Sequence, residues 1–272
     1  MITVVLATKN EGENIPRLLA SLQQQAYRDF EIILVDNSDN SETIRVARDA
    51  GVKKIYRLKS RIGVINFRGA QVNYGVSKAK GEIIFFPDAD MTFDVRLFEE
   101  VVELMKKDDA LYIPEVVVGE GWLVKIRNFE RSFYNMTPID AVRVVKKKLF
   151  DKIGGFDETQ IKFGADDWDL TKRIKQKTSR IEITMNKLYH HEGWMDWKTY
   201  LVKKSKYNDC FDGYISKWGR NDIDVRKQLG IRYRAVEVFV EKDKWKKLLT
   251  KPYLAAGMYA LRLATWINYR FL

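Results

Sequence analysis

Two aspartates separated by one residue, Asp88 and Asp90, follow the apolar run 82–86 of this 272-residue chain. The run predicts a buried strand, and ligands of open α/β sheets bind beyond the carboxyl ends of the strands. Mg²⁺ and Mn²⁺ prefer oxygen ligands and commonly bridge one or two carboxylates to a substrate diphosphate. The pair therefore indicates a site for a cation and a diphosphate. The alternative is an Asx-type turn that only leads the chain out of the strand.

A second acidic cluster surrounds Trp168. Asp166, Asp167 and Asp169 open a predicted helix, and a Gly-rich turn that ends with Asp157 precedes them. Acidic residues stabilise a helix N-terminus by only about 0.3–1 kcal/mol each. Clustered carboxylates also repel one another, which is typical of metal sites and proton-transfer sites. We therefore expect this cluster to take part in chemistry as well as in the start of the helix.

Two further polar positions lie at the ends of apolar runs. Asp36 follows the run 31–35, where it could accept hydrogen bonds from a base or a ribose; the alternative is a cap for the helix that begins near residue 41. His190 and His191 are the only histidines. Adjacent strand residues point to opposite faces, so we expect at most one of them to reach the site. Metal ligation and plain hydrogen bonding are both open for that residue.

The elements that position these residues alternate between two periodicities. Apolar runs at 2–7, 31–35, 54–58 and 82–86 predict strands, and the intervening segments 14–26, 41–50 and 66–80 predict helices. Further on we predict helices at 97–106, 121–134 and 167–177, strands at 111–118, 142–145, 181–184 and 188–190, and mostly helix from 197 onward. The alternation predicts an α/β fold with a mostly parallel central sheet flanked by helices.

These segments, in this order, resemble the family 2 glycosyltransferases of the GT-A fold over roughly residues 1–200. The similar segments are 4–11, 33–38, 73–84, 88–90, 154–158 and 166–170. The resemblance implies a GT-A type α/β domain and an inverting glycosyltransferase of the hexosyltransferase type that uses a nucleotide-sugar donor and Mn²⁺ or Mg²⁺. Here Ala7, Lys9 and Asn37 depart from the family pattern, which leaves the UDP or GDP base and the sugar open.

The resemblance also implies roles for individual residues. Asp167 is the expected general base, and Asp166 stands where the family has Glu. Asp90 and His190 are the expected metal ligands. The residues expected to bind the donor nucleotide are Thr8, Asn10, Glu11, Asp36, Asp88 and Ala89. The residues expected to bind the acceptor or support the site are Asp157, Asp166, Trp168, Asp169 and His191.

We predict a catalytic domain over residues 1–196, with a nucleotide-binding half at 1–95 and an acceptor half at 96–196, followed by a basic helical extension at 197–272. Residues 193–272 contain 17 Lys and Arg against 8 Asp and Glu, or +9 of the total net charge of +11. This concentration indicates an anionic partner such as a lipid surface or a phosphorylated ligand. Nucleic acid is not expected, because Asp88, Asp90, Asp166 and Asp167 would not help to bind a polyanion. The alternative is a solvated, lysine-rich surface.

The end of the extension predicts peripheral membrane contact through residues 242–272. Five lysines between 242 and 251 precede the apolar stretch 252–267, in which Arg262 disfavours a full membrane span. An interfacial helix, with Trp266 and Tyr269 at the lipid–water boundary, fits better. The alternatives are a helix packed on the catalytic domain or in a dimer interface, and the edge of a longer membrane protein. With membrane contact of this kind, we expect the acceptor to be an acceptor glycan or a lipid-linked acceptor.

The single cysteine, Cys210, indicates a reducing compartment, and with the basic extension it predicts the cytoplasmic face of a membrane. Two other functions remain open on the residues alone. A nucleotidyltransferase would share the nucleotide-binding half, and a non-catalytic peripheral membrane or anion-binding module would use only the basic extension.

Overall fold

The computed structural model describes residues 1–59, 61–205 and 210–271. Within them, ten strands form two sheets. The strands are β1 (Ile2–Thr8), β2 (Phe30–Asp36), β3 (Lys54–Arg57), β4 (Ile83–Phe85), β5 (Met91–Phe93), β6 (Ala110–Tyr112), β7 (Glu115–Glu120), β8 (Val144–Lys146), β9 (Ile181–Ile183) and β10 (Leu188–Trp194). The large sheet has seven strands in the order β3-β2-β1-β4-β8-β6-β9. Only β8 runs antiparallel to its neighbours, so the predicted mostly parallel sheet is confirmed.

Seven helices accompany these strands. They are α1 (Ile15–Gln23), α2 (Glu42–Asp49), α3 (Phe67–Ser77), α4 (Leu97–Leu104), α5 (Trp122–Arg131), α6 (Lys147–Lys152) and α7 (Asp166–Lys175). Ile2, Val4 and Leu6 of β1 pack on α1 and α4, whereas Val5 packs on the opposite side with α3 and α7. Both faces of the sheet are therefore covered, which explains why β1 is mostly apolar and buried along its length. Gly75 lets α3 approach β1, because a Cβ there would lie 2.4 Å from Val5 Cγ1.

A second sheet differs from the sequence prediction. The predicted single strand 111–118 is two strands, β6 in the large sheet and β7 in a three-stranded sheet of order β5-β10-β7. Pro114 lies between them and has no N–H to donate to a ladder, so the chain leaves one sheet there and enters the other. Strand β5 was not predicted, and β10 extends beyond the predicted 188–190. This sheet carries His190, which pairs with Met91 and Val117.

The described part of the C-terminal extension is helical, as predicted. Its elements are α8 (Trp197–Ser205), α9 (Asp212–Trp218), α10 (Ile223–Leu229), a π-helical turn (Tyr233–Glu237), α11 (Val238–Val240), a 3₁₀ turn (Glu241–Asp243), α12 (Trp245–Thr250) and α13 (Pro252–Phe271). One face of α13 packs on α5: Met258 and Leu261 are buried in a core cluster with Leu123 and Ile126. A Cβ at Gly257 would lie 2.4 Å from Ile126 Cδ1, so the two helices are in close contact.

This packing bears on the predicted interfacial helix. One face of α13 packs on the catalytic domain, as in the first alternative given above. Its other faces expose Tyr253, Leu263 and Ile267. Among the described residues, no helix combines the length and the hydropathy needed to cross a bilayer. The side chains of Trp266 and Tyr269 lie outside the described residues. The domain boundary at residue 196 stays a prediction, since the cluster around α5 contains residues from both sides of it.

Candidate active site

The ends of β1 and β2 form the first part of the site. Thr8 and Asp36 are paired in register, and the Thr8 hydroxyl donates a hydrogen bond of 2.8 Å to Asp36 Oδ1. The Ser38 hydroxyl donates to the same oxygen at 2.6 Å, and the Ser38 N–H donates to Asp36 Oδ2 at 3.0 Å. Gln71 of α3 donates to the carbonyls of Thr8 and Val35. Asp36 is thus a buried carboxylate that fixes the loops after both strands.

The loop after β1 brings two more predicted donor-binding residues to this edge. Asn10 adopts a φ of 58°, its N–H donates to Ser38 Oγ at 2.7 Å, and its side chain exchanges hydrogen bonds with Asp39. Burial raises the pKa of Glu11; the hydrogen bond from Asn14 lowers it, and the nearby carboxylates of Asp90 and Asp88 raise it further. The strand ends of β1, β2 and β4 therefore meet at one edge, as predicted from the parallel order.

Asp88 lies at this edge between two arginines. Arg68 Nη2 is 3.0 Å from Asp88 Oδ1, and Arg143 Nη1 is 3.3 Å from Oδ2. Burial alone would raise the pKa of Asp88, but the two guanidinium groups hold it at about 2. Asp88 is therefore a carboxylate at neutral pH. Ala89, predicted to contact the donor, is buried between the two aspartates, and that contact stays a prediction.

Asp90 and His190 form a second pair across the edge. His190 Nε2 lies 3.0 Å from Asp90 Oδ2, and His190 Nδ1 lies 3.1 Å from Glu115 Oε1. Burial lowers the pKa of His190, but the two carboxylates raise it to about 10. Asp90 Oδ1 is buried without a hydrogen-bond partner among the described residues. His191 makes a separate contact, 2.9 Å from Thr92 Oγ1, in keeping with its position next to His190 on a strand.

The acidic cluster of α7 lies against the same arginines. Arg68 Nη1 is 3.2 Å from Asp166 Oδ2 and 3.1 Å from Asp167 Oδ1, and Arg143 Nη1 is 3.5 Å from Asp167 Oδ2. Burial and the neighbouring Asp167 carboxylate raise the pKa of Asp166 to about 6. The side chain of Asp166 is only 2% exposed, whereas that of Asp167 is 23% exposed. Of the two, Asp167 is the carboxylate that a substrate can reach.

The comparison with known proteins decides the family. The sequence model of the family "Glycosyl transferase family 2" matches residues 3–157, which is more than half of the chain. The chain belongs to glycosyl transferase family 2. A second model, "N-terminal domain of galactosyltransferase", matches residues 124–192 of this glycosyltransferase. The nucleotidyltransferase and the non-catalytic module are therefore not supported.

Individual relatives agree with this assignment. The glycosyltransferase is 25% identical to the poly(ribitol-phosphate) beta-N-acetylglucosaminyltransferase TarP of Staphylococcus aureus, over 96% of this chain and 79% of TarP. A mannosyltransferase of Pyrobaculum calidifontis, solved with GDP-Man and Mn²⁺, has a similar fold (TM-score 0.62, 19% identity, 98% of this chain and 86% of that one). The S. aureus TarS fragment 1–349 with UDP gives a TM-score of 0.58 at 18% identity, over 99% and 89% of the two chains. The chain spans 54% of a longer TarS structure.

Two residues predicted to support the site contact the C-terminal extension of the glycosyltransferase. Lys217 of α9 lies 2.8 Å from Asp157 Oδ2 and 2.9 Å from Asp169 Oδ1. Asp169 also accepts from Arg173 and from Trp218 Nε1, and it is buried. These aspartates hold α9 of the C-terminal extension against the catalytic half. Within the α7 cluster, Asp169 therefore has its own cations, whereas Asp166 and Asp167 share Arg68 and still repel each other.

Trp168 and three residues that sequence reasoning missed complete the site. Trp168 Nε1 donates to the Ile139 carbonyl at 2.9 Å, and its ring stacks on Phe211 at 5.6 Å. Arg143 and Glu115 are charged residues inside the apolar runs 142–145 and 111–118, and that placement was the available signal. Arg68 lies in an ordinary-looking helix, so nothing in its local sequence indicates its role.

Asp90 and His190 are the residues of the glycosyltransferase that fit a divalent cation. Asp90 Oδ1 is buried, and because it has no hydrogen-bond partner among the described residues it could coordinate a cation. No group of three or more His, Cys, Asp or Glu that could hold a metal occurs within the described ranges. A cation there would depend on oxygens from the substrate, which is usual for Mg²⁺ held by one or two carboxylates and a diphosphate.

Proposed function

We propose that this glycosyltransferase moves a sugar from a UDP- or GDP-linked donor to an acceptor hydroxyl, with inversion at the anomeric carbon. The observation that carries the proposal is the ion-pair chain in which Arg68 and Arg143 each contact both Asp88 and Asp167. It joins the predicted donor residue to the predicted base at one sheet edge. Relatives were solved with such donors: TarS with UDP and with UDP-GlcNAc, and the mannosyltransferase with GDP-Man.

The transfer itself is a single displacement. The acceptor oxygen forms a bond to the anomeric carbon while the bond from that carbon to the diphosphate oxygen breaks, and its electron pair leaves with the nucleoside diphosphate. The proton of the acceptor hydroxyl passes to the Asp167 carboxylate. A positioned general base of this kind contributes about 10²–10⁴-fold to the rate.

The two arginines link donor binding to the availability of the base. As long as Arg68 and Arg143 pair with Asp167, they disfavour its protonation. A donor diphosphate brings competing negative charge to the same guanidinium groups, and Arg binds phosphate oxygens well. Binding of the donor therefore draws the arginines away from Asp167 and raises its proton affinity when the acceptor needs it.

Asp90 and His190 would hold Mg²⁺ or Mn²⁺ in this scheme. The cation would neutralise charge on the leaving diphosphate. The mannosyltransferase relative was solved with Mn²⁺, which supports this cofactor. His190 must lose a ring proton to serve as a ligand, so its contacts with Asp90 and Glu115 describe the protonated imidazole.

We further propose that the protein works at the cytoplasmic face of a membrane, on a glycan or a lipid-linked acceptor. Exposed apolar residues of α12 and α13, among them Leu249 and Tyr253, lie beside the exposed lysines Lys246 and Lys251. Stable peripheral attachment usually combines an apolar term with an electrostatic one. This surface offers both.

A thermal-shift panel tests the donor assignment. Wild-type protein is heated with UDP-, GDP- and dTDP-sugars, with and without Mn²⁺. At a concentration 100 times Kd, a bound donor contributes about 2.7 kcal/mol, which corresponds to a rise in Tm of roughly 5–10 °C. We expect one base to stabilise the protein, and Mn²⁺ to increase the effect. No response to any nucleotide sugar would contradict the proposal.

A further inference from the structure

A cavity of about 710 Å³ separates the catalytic half from the C-terminal extension. Glu115, Trp168 and His190 line it from the catalytic side, and Arg234, Tyr259 and Arg262 line it from the extension. The extension therefore forms one wall of this cavity. None of the residues proposed to bind the donor nucleotide belongs to this lining.

The position of the cavity fits the second substrate. His190 stands at its border, with Nε2 toward Asp90 and Nδ1 toward the lining residue Glu115. Trp168, the next residue after Asp167, also lines it. The cavity therefore borders the first turn of α7, the helix that carries the proposed base. The stacked rings of Trp168 and Phe211 give it an apolar surface of the kind that sugar and polyol faces contact.

The charges of the lining favour an anion. Four arginines and three glutamates line the cavity, and Arg131 pairs with Glu115 at 2.9 Å. The other arginines of the lining are Arg127, Arg234 and Arg262, and the other glutamates are Glu130 and Glu192. Glu130 is buried and pairs with both Arg127 and Arg262. The lining therefore holds one more arginine than glutamate.

One arginine of the lining, Arg234, has no carboxylate partner among the described residues. Arg234 lies over the Tyr134 ring at 5.8 Å and forms no ion pair with a carboxylate within the described part of the chain. A guanidinium group without a carboxylate partner has N–H groups that can donate to an anionic ligand.

The backbone around Arg234 is also unusual. It belongs to the π-helical turn Tyr233–Glu237, which places Arg234 and Ala235 in the lining. Single π-helical turns are rare and occur frequently at functional sites. The turn thus adds an independent feature to the wall that carries the unpaired guanidinium group.

We infer that this cavity binds the acceptor and that it selects an acceptor bearing a phosphate group, held by Arg234 and Arg262. The inference rests on the proposed function. Arg234 comes from the π-helical turn and Arg262 from α13, so the two guanidinium groups reach the cavity from different elements. A phosphate presents a tetrahedral set of oxygens to such donors, whereas a carboxylate presents two in one plane. The phosphate could belong to a polyol phosphate or to a prenyl phosphate.

Direct binding tests the inference. Wild-type protein, loaded with the nucleotide that stabilises it, is titrated by calorimetry with glycerol 3-phosphate, farnesyl phosphate, glycerol and farnesol. We expect at least one phosphate to bind about 10-fold or more tightly than its uncharged partner, and the phosphate that does so identifies the source. Equal affinity within both pairs overturns the inference.

Three variants assign the effect to the cavity. Arg234→Gln should remove the preference for phosphate, and Arg234→Lys should retain part of it. Arg232→Gln is the matched control, because Arg232 is 88% exposed and pairs with Glu237. An unchanged preference in Arg234→Gln would overturn the inference.

A second substitution keeps the test decisive if Arg234→Gln fails to fold. Ile231 lines the cavity but is exposed, so Ile231→Glu adds a negative charge without disturbing the core. It should weaken phosphate binding, whereas Ile223→Glu, at an exposed residue outside the lining, should not. Retained nucleotide binding with no preference for phosphate would refute the acceptor inference alone. Loss of all nucleotide binding in the wild type would refute the proposed function.

Discussion

Arg68 contacts carboxylates from two distant segments of the chain, Asp88 after β4 and Asp166 and Asp167 at the start of α7. The guanidinium group is mostly buried, and the three carboxylates raise its pKa well above the ordinary value against the effect of burial. Removing one partner of such a buried pair costs about 3–5 kcal/mol. The arginine therefore sets both the geometry of the site and the charge of its acids.

The first prediction at this scale concerns Asp90. Asp90→Asn keeps the side-chain volume but removes a charged oxygen, so we expect transfer activity to fall by at least about 100-fold, as when a transition-state stabiliser is lost. EDTA should reduce the activity of the wild type in the same way, and Mn²⁺ should restore it. Initial rates with saturating donor measure both effects. His191→Ala is the control and should change the rate little, because His191 contacts Thr92 instead. Full wild-type activity in EDTA would contradict the metal assignment.

The second prediction concerns Asp167. Asp167→Asn removes the proton acceptor, whereas Arg68 and Arg143 keep Asp88 as a partner, so the site should stay folded. We expect turnover to fall by about 10²–10⁴-fold while the donor still binds. Calorimetry with the nucleotide sugar and single-turnover kinetics separate the two quantities. If donor binding disappears along with turnover, Asp167 is a donor residue, and Asp166 becomes the base to test.

The sequence predicted the acids of this site better than its cations. Asp88, Asp90 and Asp167 follow strand ends or open a helix, and such local positions can be recognised along the chain. The role of Arg68 depends on contacts 20 and 99 residues away, which no local pattern contains. The contacts of Asp157 and Asp169 with Lys217 of the extension also join distant segments, and their support of the acceptor site stays a prediction.

At the scale of elements, the βα alternation predicted the first half of the fold well. Helices and strands there lie within a few residues of the expected bounds because apolar periodicity and burial agree. The second half was harder, and β5 was not predicted because a strand of three residues has too few positions to show a period. The change of sheet at Pro114 depends on which strand pairs with which, and a single apolar run does not encode that choice.

The packing of α13 leads to a prediction about stability. Met258 is fully buried against the cluster around α5. Met258→Ala should lower the free energy of unfolding by about 2–5 kcal/mol, the usual cost of such a truncation in a core. Urea denaturation followed by circular dichroism measures it. Leu263→Ala, at a residue 57% exposed on the same helix, is the control and should cost far less. Equal, small effects would mean that α13 does not pack on the catalytic half in solution.

At the scale of the whole molecule, the net charge of +11 is concentrated in the extension, which also bears exposed apolar side chains. One face of α13 belongs to the hydrophobic core, so truncation would unfold part of the protein. Membrane contact is therefore tested by substitution of exposed residues. Lys246→Gln with Lys251→Gln, and separately Leu249→Ser with Tyr253→Ser, should each reduce sedimentation with phosphatidylglycerol vesicles. In 1 M salt, where screening acts over about 3 Å, only the electrostatic part should vanish.

Two controls accompany the vesicle experiment. Ile62→Ser removes an exposed apolar residue outside the extension and should leave binding unchanged. Phosphatidylcholine vesicles should bind more weakly than anionic ones, since each lysine near an anionic surface contributes about 1 kcal/mol. If the wild-type protein sediments with neither kind of vesicle, the membrane proposal is wrong, and the exposed patch has another partner.

The central claim is a single displacement at the anomeric carbon, and the stereochemistry of the released sugar tests it most directly. Water can replace the acceptor, so slow hydrolysis of an α-linked nucleotide sugar reports the reaction without knowledge of the natural substrate. Proton NMR of the sugar released early in the reaction, before mutarotation, distinguishes the two anomers. Direct attack opposite the leaving diphosphate predicts the β-anomer as the first product. First release of the α-anomer would contradict the account, because retention requires two displacements or attack from the same face.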